Sequence, residues 1–135
     1  LPALLTFFDF TKQQLQRMTG TLKAAQLEAA ARAQALSDEL KIKVHPLVFF
    51  VQEDGEPVVG FVKEPSRAVK LAVMDKYSSG FYSACSQALD VILLKEYSDP
   101  RISSERAEDD KYYMGAVYAV SEMINFAVNQ AEKKK

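Results

Sequence analysis

The chain has 135 residues, 48% of them hydrophobic and 26% charged, a balance that excludes a disordered tail and fits one globular domain of the usual ~100–150 residues. With 17 basic residues against 18 acidic ones and a net charge of -1, it lacks the basic excess by which nucleic-acid binders neutralise phosphates. Its single cysteine, Cys85, excludes an internal disulfide and matches a reducing compartment, and no stretch approaches the ~20 apolar residues of a membrane span.

Residues 1–10, LPALLTFFDF, read as an apolar N-terminal arm without the basic and small-residue signals of a signal peptide. Leu4, Leu5, Phe7, Phe8 and Phe10 form a patch too apolar to leave in water, so they are expected to anchor the chain on a partner. A domain then runs over 11–135. Within 12–40, Leu15, Met18, Leu22, Ala25, Ala29, Ala33, Leu36 and Leu40 recur at three- and four-residue steps, the spacing of one helix face. Such a helix is longer than a domain of this size needs. Its surplus is either an overhang of a core helix or an arm packed on another subunit, and the second reading adds Leu15, Met18 and Leu22 to the partner-binding set.

Segments 43–51 and 57–63 are β-branched and aromatic, and Asp54-Gly55 between them signals a hairpin over 43–63. Pro46 cannot donate to a ladder, which places the first strand at an edge. A lone hairpin is barely stable in water, so it must lie on helices or join a partner's sheet.

Pro65 ends the second strand, and Ser66 is placed to cap a helix over 67–77 with Val69, Val73 and Met74 inward and Leu71 or Ala72 at the flank. Ser78-Ser79-Gly80 breaks it. A third helix is expected over 83–97, burying Cys85, Ala88, Leu89, Ile92 and Leu93. After the polar connector SDPRISSERAEDD, a last helix over 107–133 presents Met114, Val117, Tyr118, Ser121, Ile124 and Val128 as its inner stripe. The expected fold class is α+β, mostly α: a long N-terminal helix, one β-hairpin, and a helical bundle over 66–133 whose three helices pack on it.

Residues with chemistry are few. His45, the only histidine, has no nucleophile or carboxylate in a motif around it, and Cys85 lies on an apolar helical face where thiols are inert. Glu105, Glu108, Asp109 and Asp110 are the best carboxylate cluster for a divalent cation. Successive helical residues point ~100° apart, however, so 108–110 do not converge and instead favour the helix start. The chain has no glycine-rich phosphate loop, HExxH, CxxC or GxSxG. No catalytic, cofactor-binding or metal residue is therefore assigned, and no enzyme activity or cofactor is expected; the rival reading is a small metal-dependent enzyme using 105–110. Two partner candidates remain. Arg101, in the Asp99-Pro100-Arg101 turn, can pair with a following acid or with a partner, and one ring of Tyr112 and Tyr113 is expected to face outward as a docking point.

The junction Gly60-Phe61-Val62-Lys63-Glu64-Pro65-Ser66-Arg67, a strand pair ending in aromatic-aliphatic-Lys-x-Pro-Ser-Arg before a set of helices, resembles small tail-assembly-chaperone-like proteins of bacteriophages. The SDPRI…EDDKYY segment is similar to small virion proteins of crAss-like phages of Bacteroides and related hosts. The resemblance spans residues 44–130. It implies a protein that binds other phage proteins, in the host cytoplasm or within the virion, as a stable particle component or a transient tail-assembly chaperone. The Ala-rich helix and apolar arm depart from the compact chaperone pattern, which favours the stable component. Partners are then other subunits, of this chain or of other virion proteins, in an oligomer or larger assembly, with no nucleic acid and no membrane.

Overall fold

In the computed structural model the backbone is described for residues 2–51 and 55–133, and side chains for residues 20–51 and 55–124. The element order is α1 (Pro2–Leu40), β1 (Val44–Phe50), β2 (Pro57–Lys63), α2 (Arg67–Asp75), α3 (Phe81–Ile92), a 3₁₀ turn (Ala107–Asp109) and α4 (Asp110–Lys133). The class is α+β and mostly α, with a long N-terminal helix and one antiparallel hairpin. One correction concerns the start. Residues 2–10 are not an arm ahead of the helix but its first turns, because α1 runs unbroken from Pro2, where proline's fixed φ suits a helix opening.

The hairpin separates two apolar clusters. On one face Ala29, Ala33 and Leu36 of α1 meet Val44 and Phe61. On the other, Leu47, Val51, Val58 and Val62 join Leu89 and Ile92 of α3 and Val117, Val120 and Ile124 of α4. Both faces being covered explains why the strands read as continuous apolar runs without alternation. Alanine on α1 lets the helix approach the strands closely. Ser37 links the two, its Oγ accepting from the Val44 N–H at 2.9 Å and donating to the Ala33 carbonyl at 2.8 Å.

Past α3 the chain does not continue as a helix through residue 97, as its apolar spacing predicts. Leu93 is extended and bridges Val62, after which the Leu94 N–H donates to the Phe61 carbonyl and the Asp99 N–H to the Val59 carbonyl. Ser98 Oγ accepts from the Phe61 N–H at 2.9 Å. This strap closes the outer edge of β2. Gly60 makes room for it: a Cβ there would lie 2.9 Å from Ile102 Cδ1.

The shorter helices depart from expectation where solvent competes with packing. Ser66 caps α2 as read, accepting from the Val69 N–H at 3.3 Å. The helix packs on α3 rather than on the hairpin and buries Val73, so Leu71 and Met74 stay exposed. On α4 the inner stripe is Tyr112, Ala116, Val117, Val120, Ser121 and Ile124, while Met114 and Tyr118 point outward, 62% and 56% exposed. Gly115 decides that rotation, because the Phe49 ring sits 2.5 Å from where its Cβ would be. Val128 lies outside the described side chains.

Candidate functional site

Of the residues expected to bind a partner, Leu4, Leu5, Phe7, Phe8, Phe10, Leu15 and Met18 lie in the backbone of α1, but their side chains fall outside the described residues. Leu22 is half-buried. Outside the buried stripe of Ala29, Ala33 and Leu36, the described half of α1 is mostly exposed, and Leu27, opposite the hairpin, is 72% exposed.

Arg101 is engaged within the chain. Its Nη2 donates to Asp99 Oδ2 at 2.7 Å, its Nε to Oδ1 at 3.0 Å and its Nη1 to the Tyr112 hydroxyl at 3.0 Å, with the guanidinium carbon 4.1 Å from the Tyr112 ring centroid. The acid it meets precedes it, since the turn's own geometry brings Asp99 to it before any residue of the 105–110 segment. The expectation of one outward ring at 112 or 113 is also corrected. Tyr112 is buried under Arg101, and the half-buried Tyr113 hydroxyl bonds Ser86 and Asp90 Oδ1 across to α3. Burial comes first among the causes that push the Tyr113 phenol up, and the Asp90 carboxylate adds to it.

The Arg101 hydrogen bonds hold the Asp99 carboxyl below its ordinary value, outweighing the burial that opposes them. A depressed folded pKa means stability that is present above the unfolded pKa and lost as pH falls through the folded one. Urea midpoints should therefore drop as pH is lowered from neutrality through the carboxylate range near ~3.9, and Arg101→Leu should flatten that dependence. An unchanged slope in the variant would show that Asp99 does not carry it.

Glu64 behaves likewise. Burial would raise its pKa, but Lys70, whose Nζ donates to Oε1 at 2.8 Å, and His45, whose Nε2 meets Oε2, together bring it below the ordinary value. The constellation staples β1, the end of β2 and α2, and both carboxylate oxygens are taken up in it. Cys85 is fully buried, and burial pushes its thiol up, away from the reactive thiolate. In the 105–110 segment Glu108 pairs with Arg106, and among the described residues no group of three or more His, Cys, Asp or Glu is placed to hold a metal ion.

What sequence reasoning missed is an aromatic edge where α2 turns into α3, with Tyr118 of α4 exposed as well. Tyr77 and Phe81 stand edge-on at 5.2 Å between centroids and Phe81 and Tyr82 at 5.5 Å, while the hydrogen bond to Glu122 leads the causes that push the Tyr118 phenol up. The tyrosines here are more than half exposed, and tyrosine is a residue type enriched at interface hot spots. Period alone could not find this edge, because Tyr77 lies beyond the end of α2 and Tyr118 shares its spacing with buried neighbours. Among the described residues, no helix is long and apolar enough to cross a membrane. No protein-family model, curated protein or solved structure matches this chain.

Proposed function

We propose that this chain is a protein–protein interaction module that works by assembly, with α1 as its anchor and no chemistry of its own. The observation that carries this reading is the reach of α1. Its 39 residues rise ~58 Å, while between Gly20 and Leu40 only Ala29, Ala33 and Leu36 are buried. A helix that long gains nothing from its surplus turns unless a partner covers them, since helical stability in proteins comes mostly from packing. The first turns carry Leu4, Leu5, Phe7, Phe8 and Phe10, apolar enough to stabilise an interface by roughly 1.5–3 kcal/mol each before ordering costs.

The phage-like junction at 60–67 supplies the setting: a structural or auxiliary part of a particle, bound to itself or to other virion proteins. Deletion of residues 1–10 is expected to weaken assembly at micromolar concentration in sedimentation velocity while leaving the far-ultraviolet circular dichroism of the remainder intact. A truncated chain that assembles as well as the full one, or that no longer folds, would overturn the anchor.

A further inference from the structure

The two edges of the hairpin are treated differently. The Glu64 N–H donates to the Lys43 carbonyl, and with Val44 opposite Lys63 the ladder bonds alternate so that residues 45, 47 and 49 face β2. The N–H and C=O groups of residues 44, 46, 48 and 50 therefore point away from β2. On β2 the equivalent outward groups of Phe61 and Val59 are tied up by Leu94, Ser98 and Asp99. On β1 only the Val44 N–H has a partner, Ser37 Oγ, and Pro46 has no N–H to satisfy. The outward N–H groups of Val48 and Phe50, and the carbonyls of Pro46, Val48 and Phe50, make no hydrogen bond among the described residues.

The middle of this open row borders a groove of about 470 Å³ lined by Gln26 of α1, Pro46, Leu47 and Val48 of β1, and Ala119, Glu122 and Met123 of α4. Both helices lie closer to β1 than to β2, one on each face, with α1 also reaching Phe61 of β2. An added strand would run ~4.8 Å from β1, with alternate side chains toward α1 and toward α4.

We propose that the outer edge of β1 is a strand-addition site that takes an extended apolar segment of a partner protein, with a basic residue beside Glu122. Backbone bonds to Val48 and Phe50 hold the segment, and Ala119 and Met123 receive apolar side chains on the α4 side. Among the described residues Glu122 is the one charged side chain lining the groove, and beside its bond with the Tyr118 hydroxyl its carboxylate can accept from a lysine or arginine of the segment. A second copy's β1 is a poorer occupant: it would bring its own α1 and α4, which lie over that strand, into the space of the first pair. Pro46 keeps the edge from pairing along its whole length and confines the donors to Val48 and Phe50. The site is separate from the α1 anchor, and either can fail without the other.

The test is a titration of the ¹⁵N-labelled full chain with a pool of eight-residue peptides that alternate Val with Thr or Lys. The Val48 and Phe50 amides are expected to shift and to exchange more slowly with solvent, with smaller changes at Leu47 and Phe49. Val48→Pro removes one outward donor and leaves the β1–β2 ladder whole, so binding should weaken about five- to tenfold, the worth of one hydrogen bond. Ala119→Trp fills the groove from α4 and should abolish binding without touching the strand. Unmoved Val48 and Phe50 amides at millimolar peptide, or equal affinity in the wild type and both variants, would overturn the proposal. The wild-type amide map decides the matter even where a variant fails to fold.

Discussion

Leu89→Ala is expected to lower the unfolding free energy by about 2–5 kcal/mol, the cost of deleting a fully buried leucine and leaving a cavity. Leu89 has no exposed surface, and it shares its cluster with Val58, Val62, Ile92 and Val120, none more than 1% exposed. These come from β2, α3 and α4, elements held apart by their own backbones, so the site has little freedom to collapse around a missing side chain. Thermal unfolding followed by circular dichroism should show a midpoint lower by roughly 8–20 °C. Leu71→Ala is the control, since that leucine on α2 is half-exposed and its loss should cost no more than ~0.5 kcal/mol. Equal shifts in the two variants would mean that α3 does not bury Leu89.

Phe61→Ala is expected to cost about 3–5 kcal/mol, and to cost it on the other face of the hairpin. Phe61 is the one fully buried ring among the described residues of the cluster with Ala29, Ala33, Leu36 and Val44, with the half-buried Tyr97 at its side, and the Arg32 guanidinium carbon lies 5.9 Å from its centroid. Alanines across from it cannot fill the hole. The backbone of Phe61 still holds Leu94 and Ser98, so the strap stays closed and the damage falls on the seat of α1. Hydrogen exchange should show amides around Ala29–Leu36 losing protection before those of α3. Simultaneous loss on both faces would show that the two clusters open as one cooperative unit and not separately.

These two substitutions also mark how far local pattern reaches. The apolar spacing of Ala29, Ala33 and Leu36 places the correct face of α1 on the hairpin, and Ser66 announces the start of α2 through a capping bond that needs nothing beyond its own turn. Spacing fails where two helix faces are about equally apolar. Met114 and Tyr118 fit the period of α4 as well as Ala116 and Val120 do, and the Phe49 ring against Gly115 chooses between them. The strap at 93–99 fails for a related reason. Its residues continue the helical spacing of α3, but the free edge of β2 offers backbone partners that water would otherwise have to supply, and the chain leaves the helix at the extended Leu93 and turns over 95–97 to take them.

The expected partner residues separate along the same line. Arg101 and the two tyrosines looked available because a charge in a turn and adjacent rings are locally indistinguishable from docking groups; only the fold sets Tyr112 beneath Arg101 and Tyr113 against Asp90.

By itself the sequence determined the central helices and the hairpin, the edge position of β1 through Pro46 and the cap on α2, because each is governed by backbone conformation and neighbours a few residues away. Tertiary structure alone decided which edge of the hairpin is closed and which is open, which face of α4 turns inward, and what Tyr112 and Tyr113 bond to. Those outcomes depend on competition among distant groups for the same buried volume and the same backbone hydrogen bonds, and no local spacing records who wins.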